Sequence, residues 1–254
     1  MNLYEVDKKM RIYEKSLDQV IVPGMFMIAR LDGRGFSRLT KEICNFEAPF
    51  DERFNALMTE TVKHLMDCGF RIVYGYTQSD EISLLFHKGE NTFARKVRKY
   101  NSILAGEASA KLSLLLDVMA IFDCRMIALP NKELVQEYFL WRQEDAHQNA
   151  LNSYCYWYLR REGLSAIEAT EQLHGKSTSL KNDFLFSKGQ NFDKLPLWQK
   201  RGVGIYWDDT EIEGFNPVKQ ISEITYRRML KVDDSLLLGQ GYANMILGFC
   251  KKCI

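Results

Sequence analysis

Long apolar runs are missing from this chain: no stretch approaches eighteen consecutive apolar residues, so none is a candidate membrane-spanning helix. The start, Met1-Asn2-Leu3-Tyr4-Glu5-Val6-Asp7-Lys8-Lys9, mixes acids with bases and has no apolar core. That pattern argues against a secretory leader and points to the cytoplasm. Proline is scarce, five in 254 residues, and glycine numbers 16, which excludes collagen-like and low-complexity chains. No charge sign dominates, since 34 Lys and Arg face 33 Asp and Glu for a net +1. A protein coated in basic charge is excluded, although an average conceals any local patch. Six cysteines without a leader read as reduced thiols. Cys250 and Cys253 form a lone C-x-x-C, with no second pair and no His pair at finger spacing to complete a zinc site.

Aromatics are plentiful. Fifteen Phe, 12 Tyr and 4 Trp supply a core large enough for one large domain or two small ones, and exclude a disordered chain. The run Met25–Arg30 reads as a strand that exits sharply through Gly33 and Gly35. Phe54, Leu57, Met58, Thr61, Val62 and Leu65 repeat at helical spacing behind Asp51, a cap or first-turn acid. Arg71–Tyr76 and Glu81–Phe86 read as a hairpin around Thr77–Asp80. A helix from about Asn91 to Leu116 and a strand over Phe122–Ala128 follow. Strand, helix, strand, strand, helix, strand is the βαββαβ, ferredoxin-like order, an α+β sheet with helices on one face.

The second half reads as mainly helical. Asn131 caps a long helix to about Arg161, and Ser165 with Glu168 forms a capping box for a shorter one ending at Gly175. Val203–Trp207 reads as one more strand, and Ile221–Lys231 as an element of undetermined type. With no repeat and no flexible linker, residues 1–254 parse as one compact unit. A palm-like core spans 1–130, and a mainly helical extension, 131–254, packs on it.

Four features can carry chemistry. Asp32 ends the first strand, while Asp80 and Glu81 sit at the hairpin tip. Strands one and three are central neighbours in a ferredoxin-like sheet, so these acids can converge. Converging carboxylates repel unless a cation neutralises them, and oxygen ligands with a substrate phosphate suit Mg²⁺. Each aspartate alone is also an ordinary turn residue. The segment Asp32-Gly33-Arg34-Gly35-Phe36 can form an anion nest beside Arg30, or be simply a glycine-rich turn; it lacks the G-K-[ST] of a Walker loop. From Lys88 to Lys111 six basic residues outnumber two acidic ones, which fits phosphate binding or a solvated helix face. Arg142, Asp145, Asn149 and Asn152 form a polar stripe along one helix, either lining a groove or making helix contacts.

Together these segments resemble the tRNA(His) guanylyltransferase superfamily, template-using 3′–5′ nucleotide-adding polymerases. The matching pieces are Arg30–Phe36, Tyr74–Glu81, Trp141–His147 and Lys181–Phe186, in family order. The resemblance implies a polymerase palm in which Asp32, the Gly33 backbone and Asp80 ligate two Mg²⁺ ions. It assigns catalysis to Asp32 and Asp80 with Glu81 in support. Nucleotide contacts fall to Asp32, Gly33, Arg34, Gly35, Phe36, Ser37, Ser79 and Asp80, and triphosphate contacts to Arg30, Lys96 and Lys99. His147, Asn152, Lys181 and Asn182 match positions for tRNA or a second nucleotide. ATP or GTP would activate the 5′-monophosphate of a tRNA, and the 3′-hydroxyl of an incoming nucleotide would then attack it. A homotetramer is also implied.

Several positions depart from the pattern of the eukaryotic enzymes. Gln148, Ala150 and Asn152–Tyr154 replace part of the signature after His147, Ser37 stands where a histidine is usual, and Ala48 stands where a lysine is usual. The departures resemble the bacterial and archaeal "-like" branch, which implies 5′-end repair of tRNA; a dedicated tRNA(His) guanylyltransferase adding G at position −1 is the second reading. Residues after Trp207 match nothing. Two other classes share the strand order: a non-catalytic RNA-recognition module, which needs stacking aromatics absent from Glu81–Phe86, and a palm-type nucleotidyl cyclase.

Overall fold

The computed structural model describes residues 2–216 and 221–251. In chain order the elements are α1 (Leu3–Lys15), β1 (Phe26–Gly33), α2 (Phe36–Arg38), α3 (Glu52–Met66), β2 (Ile72–Gln78), β3 (Glu81–Phe86), α4 (Val97–Leu116) and β4 (Phe122–Leu129). After these come α5 (Lys132–Arg161), α6 (Ala166–Leu173), α7 (Thr178–Ser187), α8 (Leu197–Arg201), β5 (Val203–Asn216), β6 (Ile221–Asp233) and α9 (Gly239–Lys251).

The sheet is antiparallel in the order β4-β1-β3-β2-β5-β6. Its first four strands are the ferredoxin-like set, with β1 and β3 neighbours at the centre as the strand order predicts. Alternation then decides which side chains meet which helices. Met27, Ala29, Leu31, Ile82 and Leu84 point to one face, where Val62 and Leu65 of α3 and Leu104, Ala108 and Leu112 of α4 bury them. Phe26, Ile28, Tyr74 and Leu85 point to the other face, against Val135 and Phe139 of α5 and Tyr242 and Ile246 of α9. The two helices of the ferredoxin-like set, α3 and α4, thus share one face as expected, and the helical extension covers the other through α5 and α9.

The local signals mostly operate where expected. Asn131 caps α5 by accepting from the Leu134 N–H at 2.9 Å, and both bonds of the Ser165–Glu168 capping box are present. The expected helix from Asn91 instead opens with a 3-10 turn, Thr92–Arg95, and straightens only from Val97. Val203–Trp207 is the start of a 14-residue strand, and Ile221–Lys231 belongs to its 13-residue partner. Of the two cysteines in the terminal C-x-x-C, Cys250 lies in α9 and Cys253 lies outside the described residues. No helix among the described residues is long and apolar enough to cross a membrane.

α5 places the site. Thirty residues at 1.5 Å each make it about 45 Å long. Its first half covers the sheet, while Ala150, Leu151, Tyr154, Cys155 and Leu159 in its second half build a separate core with α6 and α7. The sheet ends where the two halves meet, and the acids collect there.

Candidate active site

β1 brings Asp32 directly opposite Glu81 of β3 on one side and Asp123 of β4 on the other. Three acids thus stand in a row across the sheet, and Asp123 was not singled out from the sequence. Register carries that information: only the pairing of β1 with β4 sets it beside Asp32. The tight turn from Gln78 to Glu81 holds Ser79 at a left-handed φ of 55°. Ser79 Oγ donates to Asp80 Oδ1 at 3.1 Å.

The charges in the row are handled differently. Glu81 is engaged at both oxygens: Arg30 Nη2 lies 2.5 Å from Oε1 and Arg142 Nη2 lies 2.9 Å from Oε2. Arg142 also holds Asp145 at 2.5 Å, and its guanidinium lies 4.5 Å over the Trp141 ring. Among the described residues Asp32 pairs only with Arg125, at 4.0 Å, a half-exposed contact worth little. Asp80 carries the strain of the arrangement. Burial first, and then the nearby charges of Asp32 and Glu81, push its carboxyl up to about 6, despite the help of its own backbone N–H and Ser79. A cation between Asp32 and Asp80 would reverse that balance.

Among the described residues no three His, Cys, Asp or Glu side chains form a ready metal cage. Two carboxylates beside a backbone carbonyl at Gly33 nevertheless fit a hard ion that takes its other oxygens from water and substrate phosphate. The residues present therefore suit Mg²⁺ better than a metal that needs an all-protein cage.

The glycine segment shapes the approach. A Cβ added at Gly33 would stand 2.4 Å from Phe36 Cδ2, so the strand can turn here only without a side chain. Gly35 has φ 71° and starts α2. The Arg34 N–H donates to Ile121 O at 2.8 Å, so any anion nest begins at Gly35 rather than at Arg34. Phe36 is buried against Phe54 and Phe122 and lines the cavity beside Ser37. Because that ring is held by its neighbours, Gly33→Ala should lower stability by about 1–3 kcal/mol in urea unfolding, the cost of overpacking a filled core. A neutral result would mean that the Phe36 ring swings away freely.

Beside Ser37, Ser79 and Asp80 opens a cavity of about 460 Å³. Its walls carry Phe46, Phe50, Phe54, Tyr156, Trp157 and Trp198, an aromatic lining that suits a planar base. Sequence reasoning missed this lining, which comes from the loop before α3, from α3, from the second half of α5 and from α8. At its rim Asp51 caps α3 and pairs with Arg53 at 2.7 Å, which holds its carboxyl well below the usual range. A smaller cavity of about 150 Å³ lies under the hairpin and is lined by Arg142, Asp145 and Asn149, three members of the polar stripe.

The remaining expected residues divide into two groups. Asn152 and Lys181 meet in a cavity of about 300 Å³ that shares Tyr156 and Thr170 with the aromatic one. His147 packs edge-on against Phe192, and the Asn182 amide donates to Thr178 O at 3.2 Å, so neither lines that cavity. Arg30 is turned toward Glu81. Lys96 pairs with Asp18 at 2.9 Å, and Lys99 lies 5.4 Å over the Phe93 ring. Val20 bridges to Lys96, which places this basic cluster beside the start of β1. From Phe26 to Asp32 the strand covers roughly 20 Å, so one chain does not bring Lys96 and Lys99 to its own carboxylates.

A ferredoxin-like sheet, carboxylates at the ends of its two central strands and an aromatic cavity beside them define a nucleotidyltransferase built on a polymerase-type palm. The comparisons agree. One family model, described as tRNAHis guanylyltransferase, matches residues 7–130, and a second, described as the Thg1 C terminal domain, matches 133–234. A probable tRNA(His) guanylyltransferase of Bos taurus is 31% identical over 240 residues, 90% of this chain and 80% of the relative. A bacterial tRNA(His) guanylyltransferase (Thg1)-like protein solved in complex with ATP superposes with a TM-score of 0.78 at 26% identity, over 96% of this chain and 98% of that one. A GTP complex of a bacterial Thg1-like protein gives 0.72 at 26% identity, over 97% and 99%. The chain belongs to the tRNA(His) guanylyltransferase family, and with that the reading as a non-catalytic RNA-binding module falls away.

Proposed function

We propose that this protein adds nucleotides in the 3′–5′ direction to the 5′ end of tRNA, as a template-dependent repair polymerase. The observation that carries the reading is Asp32 paired opposite Glu81 and close enough to act on the charge of Asp80, which itself lines the aromatic cavity. The departures at Ser37, Ala48 and Gln148 support this branch, and so does the similarity to bacterial Thg1-like structures along almost their whole length. Relatives named tRNA(His) guanylyltransferase keep dedicated G−1 addition as the second reading.

The chemistry runs in two balanced displacements. An oxygen of the tRNA 5′-monophosphate attacks the α-phosphorus of ATP or GTP, and pyrophosphate leaves. The 3′-hydroxyl of the incoming nucleotide then attacks the tRNA 5′-phosphorus, a new P–O bond forms, and the nucleoside monophosphate departs with the electron pair. Two Mg²⁺ ions, held by Asp32, Asp80 and the Gly33 carbonyl, would supply charge stabilisation for both steps. Ser37, Ser79 and the N–H groups from Gly35 onward position the nucleotide, and the aromatic walls exclude water from its base. Glu81, occupied by Arg30 and Arg142, braces the hairpin that presents Asp80. Lys96 and Lys99 would reach a triphosphate only from another copy of the chain, which supports a homotetramer with sites shared between protomers.

The test uses protein, Mg²⁺, ATP, labelled nucleotides and 5′-monophosphorylated tRNAs that lack their first nucleotide. Wild type should restore the missing nucleotide on several truncated tRNAs, and Asp32→Ala on none. Activity confined to tRNA(His) would favour the dedicated enzyme. No extension of any tRNA, or production of cyclic nucleotide from the triphosphate alone, would overturn the polymerase reading.

A further inference from the structure

β5 pairs with β2 over only four residues, Tyr74–Thr77 against Val203–Tyr206. Beyond Tyr206 it runs on with β6 alone, while β2 shifts register between Ile72 and Tyr74. The two strands therefore diverge, and the fork between them holds a cavity of about 660 Å³. Two guanidiniums, Arg71 and Arg228, line it against one acid, Asp67. Among the described residues neither arginine makes an ion pair.

His87 stands beside Arg71 in the wall of the fork. Its Nδ1 lies 3.0 Å from the Gly89 nitrogen and its Nε2 3.1 Å from Arg71 Nη2. A guanidinium carries five N–H donors, so Arg71 has others to offer an acceptor in the cavity, and a phosphate oxygen suits them. On the other wall the Arg228 guanidinium lies 5.7 Å over the Trp207 ring. Trp207 is half-buried against the core, so the group it leaves facing the cavity is the Arg228 guanidinium, a planar surface of the kind on which an unstacked base is held.

We propose that this fork binds one unstacked nucleotide of the RNA substrate, with its phosphate on the Arg71 guanidinium beside His87 and its base against the Arg228 guanidinium. The proposal rests on the tRNA reading of the active site. Ile72 lies at the fork and Gln78 at the catalytic hairpin, roughly 20 Å apart along β2. The bound nucleotide is therefore remote from the reacting 5′ end, a separation that a folded RNA spans and a single triphosphate does not.

The test compares wild type with the Arg71→Gln/Arg228→Gln and Arg71→Lys/Arg228→Lys proteins, using a 5′-truncated tRNA. For the Gln protein the KM for tRNA should rise about tenfold. The plot of log Kd against log salt should lose about one unit of slope. The kcat at saturating tRNA and the KM for ATP should stay at wild-type values. The Lys protein should recover the slope, which separates lost charge from lost fold. Unchanged KM and slope in the Gln protein, while wild type extends tRNA normally, would overturn the proposal and leave the polymerase reading standing. A rise in the KM for ATP or GTP with no change for tRNA would reassign the fork to free nucleotide and overturn it equally. Failure of wild type to bind tRNA at all would overturn both.

Discussion

Asp80→Asn is expected to abolish nucleotide addition, by about 10³-fold or more, and at the same time to make the metal-free protein more stable. Both effects come from one carboxyl. Its pKa is raised to about 6, chiefly by burial and then by Asp32 and Glu81. The sign follows from comparing the two states. Between pH 6 and the ordinary value of 3.8 the folded protein binds a proton that the unfolded chain does not, so stability from this group rises as pH falls. Above pH 6 the ionised carboxyl opposes folding, and the amide removes that opposition. For a half-buried group the gain should be about 1–2 kcal/mol, visible as a higher Tm in EDTA at pH 7–8 and absent near pH 4. Added Mg²⁺ should stabilise wild type and not the variant. Because a proton competes with the cation for the same oxygens, wild-type activity should fall as pH drops through about 6. An active Asp80→Asn protein, or a Tm gap that is the same at every pH, would refute this account.

The carboxylates were legible from the sequence because short-range signals surround them. Gly33 and Gly35 end β1, the turn at Ser79 separates two β-branched and aromatic runs, and the helices between are punctuated by Asp51, Gly69 and Asn131. Strand order then follows from element order. What stayed hidden depends on distance along the chain. Arg142 meets Glu81 across 61 residues, and Phe50, Trp157 and Trp198 meet only after α5 and α8 have packed. The β5–β6 arm hid for another reason. Asp208, Asp209, Thr210 and Glu211 lie in a stretch with solvent on both sides, so no alternation of apolar and polar residues marks it. The basic helix misled in detail. Arg95 is buried and donates to the carbonyls of Ile21, Met25 and Glu90, while Lys96 and Arg98 both pair with Asp18. Much of that local charge holds the chain together before it meets any phosphate.

Arg142→Ala should be the most damaging substitution outside Asp32 and Asp80. The guanidinium is only 4% exposed and bridges Glu81 and Asp145, which are 29% and 38% exposed. Breaking a buried pair costs several kcal/mol because a charge is left behind. Here water reaches both carboxylates and Arg30 still holds Glu81, so a loss of about 2–3 kcal/mol in urea unfolding is expected. Stability is the smaller part of the argument. Glu81 already pushes Asp80 upward, and without Arg142 its charge is less compensated. The pH midpoint of activity should therefore move above that of wild type, with kcat falling about tenfold or more at neutral pH and recovering partly at pH 8–9. Adding Glu81→Gln to Arg142→Ala removes the uncompensated charge, so the midpoint should return toward the wild-type position even though the lost packing is not restored. Arg142→Lys should hold the midpoint near wild type while recovering only part of the stability, since an ammonium carries the charge without the fork that spans two carboxylates. A stability loss in Arg142→Ala with the midpoint unmoved would reduce Arg142 to a packing residue. A midpoint that moves and returns with Glu81 would make it the residue that positions and tunes the hairpin carrying Asp80.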